Sequence, residues 1–245
     1  MDFFSIAFLA ALAQIMLVNI VLSGDNAVVI ALAARNLPPE HQRKAVLWGS
    51  GGAIVLRVIL TVVAVQLLKI PYLQFAGALL LLWIAYQLLV EDDEAEGEEH
   101  KTHGNLLSAV KTILIADVVM SLDNTLAIAG VAKGDWTLLI VGLALSIPLI
   151  VLGSTVIMKL MDRFPVIVYV GAGLIAWTAG EMMDSDAAVQ PYLPHLLHET
   201  VLLPAALTVA VVGLGWWMNQ KRGRDAAAVL AADKAAALRI EDKID

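Results

Sequence analysis

The chain has 245 residues, 60% of them hydrophobic and 16% charged, with a mean hydropathy of +0.80. A soluble domain normally carries about 25% charged and 45–50% apolar residues, so this composition excludes an ordinary water-soluble globule and points to a bilayer. The net charge of −7 says little about partners because much of it sits in one acidic segment, and nothing in it suggests nucleic acid; the lack of cysteine excludes disulfides, thiolate metal sites and thiol catalysis.

Seven apolar stretches follow one another along the chain, at roughly 4–34, 45–68, 71–90, 106–132, 136–158, 165–183 and 200–218. Pro38-Pro39, Lys69-Ile-Pro71, Gly134-Asp135 and Asp162-Arg163-Phe-Pro165 separate them. The runs are much longer than barrel strands and do not alternate, so helices are the expected spanning form. The N-terminal Met1-Asp-Phe-Phe-Ser5 has no basic region and no cleavage site follows, so the first stretch reads as a retained span, not a signal peptide. It is also overlong: at 1.5 Å per residue it would reach about 46 Å, against about 30 Å of hydrocarbon. The spacing therefore predicts a tilt, an extension beyond the membrane, or a break.

Basic residues assign the sides. Arg35, Arg43, Lys44, Lys101, Lys111, Lys159, Arg163, Lys221, Arg222 and Arg224 fall on one side, and Lys69 and Lys133 on the other. Positive charge marks the cytoplasm, which predicts a multi-pass protein of the inner (cytoplasmic) membrane with its N-terminus out and its C-terminus in.

The sequence also repeats itself. Asn19-x-x-x-Ser23-Gly24-Asp25-Asn26 in the first stretch matches Asp117-x-x-x-Ser121-Leu122-Asp123-Asn124 in the fourth, 98 positions on. The third and sixth match from Phe75 to Gln87 and from Tyr169 to Glu181, and the second and fifth match weakly, through Gly49 and Gly142. Three spans per repeat, an odd number, invert the second half relative to the first. The expected fold is thus an all-α membrane protein of seven transmembrane helices, a 3+3 inverted repeat plus one additional C-terminal span. Its units are a first repeat (1–90), an acidic cytoplasmic loop (91–105), a second repeat (106–184), an external loop with the seventh span (185–218) and a cytoplasmic tail (219–245). Inverted repeats recur in secondary transporters, with the substrate site near mid-membrane.

Asp25, Asp117, Asp123, Glu181 and Arg57 all fall within the apolar stretches. Each ionised carboxylate at the bilayer centre costs about 2.5–3.5 kcal/mol, so three aspartates cost on the order of 8–10 kcal/mol. A bound cation, protonation or a partner such as Arg57 must offset that. Carboxylate, amide and hydroxyl oxygens without thiol or imidazole suit hard cations such as Mn²⁺, Mg²⁺ or Ca²⁺. Asp25, Asn26, Ser23, Asn19, Asp117, Ser121, Asp123 and Asn124 are the candidate donors. On an unbroken helix Asn19, Ser23 and Asn26 share one face, as do Asp117, Ser121 and Asn124, while Asp25 and Asp123 point about 100° away. Unwinding at Ser23-Gly24 would gather the oxygens and expose backbone carbonyls. Met16 and Met120 offer a thioether or, more simply, packing. Glu181 reads either as a further metal or proton-coupling group or as a carboxylate reaching the interface. A guanidinium cannot coordinate a cation, so Arg57 reads as a counter-charge. The loop 91–104, with His100 and His103, reads as a solvated linker before it reads as a cation collector, and residues 225–240 as a short cytoplasmic helix.

Leu22-Ser-Gly-Asp-Asn-Ala27 with downstream Arg35-Asn-Leu-Pro38, and the fourth-stretch Asp117-x-x-x-Ser-Leu-Asp-Asn124, resemble the TerC family of bacterial integral membrane proteins, in particular its YjbE-like branch. The resemblance covers about residues 5–218. It implies a seven-span protein tied to tellurite resistance and metal homeostasis, similar to manganese exporters, with Asp25, Asn26, Asp123 and Asn124 as metal-site residues and Asp117 and Ser121 close by. The expected activity is therefore transport of a divalent metal ion as substrate, Mn²⁺ efflux by a secondary, proton-exchanging route, with no resident cofactor and no enzymatic step. No nucleotide-binding G-x-x-x-x-G-K-[ST] motif is present. The alternatives are a membrane scaffold of a stress-response complex, its aspartates serving only helix packing, and an intramembrane hydrolase with paired aspartates.

Overall fold

The computed structural model describes residues 10, 12–17, 24–67, 69–90, 105–132, 136–194 and 201–241. After a helical stretch at 12–17 come α1 (Gly24–Ala34), α2 (Pro39–Leu67), α3 (Leu73–Val90), α4 (Leu106–Ala132), α5 (Trp136–Arg163), α6 (Val166–Ser185), a 3₁₀ turn (Gln190–Tyr192) and α7 (Leu202–Glu241). No strand occurs among the described residues. Among the described residues five helices are long and apolar enough to cross a membrane, at 39–63, 73–90, 139–163, 166–185 and 202–221, and α1 is a shorter apolar helix.

Local chemistry sets several helix ends. Pro39 opens α2, where a missing N–H costs nothing. Asn105 Oδ1 accepts from Leu107 N at 3.0 Å and caps α4. The cap of α3 comes from elsewhere in the chain: buried Asp186, just past α6, accepts from Phe75 N at 3.0 Å and from Ala188 N at 2.9 Å. Tyr72, immediately before α3, holds a left-handed backbone (φ 62°). At the other end of α3, Arg35 Nη2 donates to the Leu88 carbonyl at 3.1 Å.

Three boundaries differ from those read in the sequence. The second helix starts at Pro39, not 45, because Glu40–Lys44 are polar yet helix-compatible. The fifth runs to Arg163, not 158, for the same reason: hydropathy marks where a helix leaves the hydrocarbon, not where its hydrogen bonds stop. The tail is no separate helix. It continues α7 unbroken to Glu241, since its alanines favour helix and no proline interrupts them.

The surface pattern is that of a membrane protein. Trp48, Val55, Leu152, Val166 and Val209 are exposed, whereas Arg57, Asp117, Ser50, Ser121, Ser146 and Ser154 are buried. The most extensive packing joins α2 to α4, α3 to α6 and α6 to α7, and α1 sits among α2, α4, α5 and α6. Glycines permit the close approaches. A Cβ on Gly49 would lie 2.8 Å from Ile113 Cδ1, and one on Gly142 would lie 2.5 Å from Ile15 Cγ2. Contact order along the helices gives their directions. Gly49, Gly52 and Arg57 meet Ile113, Leu114 and Asp117 in turn, so α2 and α4 run parallel. Gly142 and Gly153 meet Ile15 and Ala27, so the first segment and α5 are also parallel. Gly77 against Met182, with Phe75 against Asp186, makes α3 and α6 antiparallel.

Candidate functional site

At the α2–α4 contact lies a closed polar triangle. Arg57 Nη2 donates to Asp117 Oδ1 at 2.5 Å, Arg57 Nε donates to Ser121 Oγ at 3.1 Å, and Ser121 Oγ donates to Asp117 Oδ2 at 3.3 Å. All three are buried, with 2%, 6% and 0% of the side chain exposed. The helix explains the arrangement: α4 passes unbroken through its motif, so Asp117 and Ser121 (i, i+4) share a face. Arg57 (i+8 from Gly49) comes up on the face of α2 that the glycine lets close on α4.

Asp25 and Asn26 stand in the first turn of α1. The Asp25 carboxylate accepts from Asn26 N at 2.8 Å and lies within electrostatic reach of both Arg57 and Asp117. Asn26 is 4% exposed, and neither its Oδ1 nor its Nδ2 has a hydrogen-bond partner among the described residues. Each buried polar group left unpaired costs about 1–3 kcal/mol. An amide that bears this cost beside a carboxylate is suited to meet a group the protein does not itself supply. Asn124 is half-buried on α4.

Asp117 and Ser121 thus come together on Arg57, while Asp25, with Asn26 adjoining it, stands on α1 packed against the same two helices. Glu181 does not join them. It lies on the exposed face of α6, where Trp177 Nε1 donates to its Oε1 at 2.8 Å. Asn19, Ser23 and the Asp123 side chain fall outside the described residues, as does the loop 91–104; of the unwinding expected at Ser23-Gly24 only Gly24 is described, as the first residue of α1. Met120 is buried among apolar neighbours. Among the described residues no three His, Cys, Asp or Glu side chains are grouped to hold a metal ion; the oxygens gathered there are those of carboxylate, amide and hydroxyl groups. Sequence reasoning passed over Ser50, 1% exposed, whose Oγ has no partner among the described residues. Its signal is the spacing: Ser50 lies two helical turns before Arg57 on the same face (i, i+7).

Apolar helices closed around buried charges define a multi-pass integral membrane protein. A model of the integral membrane protein TerC family matches residues 4–224, and the chain belongs to that family. It is similar to the uncharacterized membrane protein YjbE of Bacillus subtilis (strain 168), 42% identical over 207 residues that cover 84% of this chain and 93% of that protein. It also resembles the uncharacterized YceF of the same organism, at 28% over 199 residues (78% and 76%). The UPF0053 inner membrane protein YgdQ of Escherichia coli (strain K12) matches at 28% over 138 residues (50% and 58%). No solved structure matches.

Proposed function

We propose that the protein is a secondary transporter of a hard divalent cation, specifically an exporter of Mn²⁺ in exchange for protons. The carrying observation is Asn26: an amide 4% exposed and without a partner among the described residues, next to Asp25. Two carboxylates against one guanidinium leave the described cluster negative, which attracts a cation, and oxygen donors select a hard one. Asp123 and Asn124 complete the donor set in this reading, and no enzymatic step is involved.

The inverted 3+3 repeat, with N-terminus out and C-terminus in across the inner membrane, belongs to the same reading. Two contacts support it. Gly49 meets Ile113 and Gly142 meets Ile15; the two glycines are repeat equivalents, and the two isoleucines are 98 positions apart, as Asp25 and Asp123 are. The parallel α2–α4 and antiparallel α3–α6 directions are those an inverted second half requires.

One observation favours a scaffold instead: the Arg57–Asp117–Ser121 triangle satisfies its members without an ion. Total cell metal in a strain lacking the protein separates the two. Export predicts raised cell manganese, restored by the intact chain and not by Asp25→Asn or Asp123→Asn variants that still insert and accumulate. Unchanged manganese rejects export.

A further inference from the structure

The transport reading leaves Arg57 without a task, and its position gives it one. A guanidinium stays charged at every physiological pH, so Arg57 brings a permanent cation into a site that would bind a cation. It is anchored by two nitrogens, Nη2 on Asp117 and Nε on Ser121, which fixes the plane of the group and not only its distance. The Asp117 carboxylate is engaged on both oxygens, one by Arg57 and one by Ser121. Asp25, the other described aspartate, stands in the first turn of α1, which packs against both α2 and α4, the helices that carry Arg57 and Asp117.

Resting on the transport reading, we propose that Arg57 is a built-in competitor for the transported ion: it holds Asp117 out of ligation and weakens the ion's hold at Asp25, so that the site releases what it binds. An uncompensated pair of aspartates in a low-dielectric interior would bind a divalent cation tightly and free it slowly. With Arg57 seated on Asp117, the only described carboxylate left to the arriving ion is Asp25, flanked by the Asn26 amide and a repelling guanidinium. Binding strength is then set by a residue that never touches the ion, which makes Arg57 a positioning and specificity-determining residue and Asp117 its anchor.

The test is Mn²⁺ affinity of the full-length protein in lipid nanodiscs, read by Mn²⁺ electron paramagnetic resonance, with thermal unfolding as the check on folding. Arg57→Gln removes the competing charge and should tighten Mn²⁺ binding by about tenfold or more, while reconstituted efflux slows. Asp117→Asn frees Arg57 to turn toward Asp25 and should weaken binding by a similar factor. Arg57→Gln with Asp117→Asn removes both charges together, so neither is left buried alone, and should return affinity to within about threefold of the wild type. Arg57→Lys keeps the charge and should bind within the same range. If Asp117 is itself a ligand, the double variant stays as weak as Asp117→Asn, and the inference fails. If Arg57 only supports packing, Arg57→Gln shifts unfolding and leaves affinity unchanged, and the inference fails. Should Arg57→Gln not fold, the comparison of Asp117→Asn with the double variant decides alone. A wild-type protein that binds no Mn²⁺ rejects the transport reading, an outcome distinct from either of these.

Discussion

The Asp117 carboxylate of α4 closes on the Arg57 guanidinium of α2 at 2.5 Å, across 60 residues of sequence. Breaking a buried ion pair on one side leaves the other charge unsatisfied and costs about 3–5 kcal/mol, whereas removing both sides is often neutral. This contact is therefore a strong constraint on how α2 and α4 dock, and one that either partner alone cannot relax.

Asn26 gives a stability prediction with an unusual sign. Its amide is buried with both polar atoms unpartnered among the described residues, so Asn26→Leu, with the same heavy-atom branching, relieves two unmade hydrogen bonds, each about 1–3 kcal/mol. The variant should melt at a higher temperature than the wild type in detergent and lose Mn²⁺ transport. A lower melting temperature with transport intact would show that the amide serves the fold and not an ion.

Gly180 tests the α6–α7 packing. A Cβ there would run into Pro204 Cα and lie 2.9 Å from Pro204 N, both backbone atoms with no rotamer to yield. Gly180→Ala should destabilise the fold by about 1–3 kcal/mol, as other overpacked sites do, and so melt at a lower temperature. Gly213→Ala, on α7 with nothing within 4 Å of its Cβ, is the control and should match or exceed the wild type.

Topology is checked by reporter fusions. Fusions after residue 221 and within 91–104 should read as cytoplasmic, and one within 186–198 as external. An internal reading for 186–198 would undo the antiparallel repeats.

A pH prediction follows from placing carboxylates where an ion competes with protons. Ligands must be deprotonated to bind, so metal binding releases protons and weakens as pH falls. In proteoliposomes an inward Mn²⁺ gradient should drive protons outward, and Asp123→Asn should abolish this. Flux indifferent to pH between about 5.5 and 8, where protons should compete with the ion for its carboxylate ligands, would point to a passive channel.

The sequence carried the class of the molecule plainly, because a bilayer imposes long apolar runs on any chain that crosses it. The motif residues Asp117 and Ser121 were also legible as one helical face. The partner of that face was not: the sequence offers Arg57 as a counter-charge to any of the three aspartates, and the ion pair with Asp117 depends on which side of α2 approaches α4. That side is chosen by Gly49 against Ile113 and Gly52 against Leu114, close contacts that look like any glycines in an apolar run. Ser50 escaped notice for the same reason. Asp186 capping α3 joins residues 111 apart in sequence, and no local pattern announces it. Conversely, Glu181 stood out as a charge in a span, yet a helix position near an end with Trp177 one turn before it is enough to hold it at the periphery.

The unbroken α7 has a mechanical consequence. Forty residues of helix measure about 60 Å, twice the hydrocarbon thickness. Exposed Trp216 and Trp217, with Lys221 Nζ 5.7 Å from the Trp217 ring centre, mark where the helix leaves the bilayer. Beyond them about 30 Å of the same rod projects into water. Its inner half is pinned to α6 by Thr208 on the Gly173 carbonyl and by Asn219 on Tyr169. A tilt of α6 of about 10° would therefore sweep Glu241 through about 5 Å, given the helix rise per residue. The span is a lever with its fulcrum at the membrane surface, so a small rearrangement of the buried helices arrives at its far end as a larger displacement.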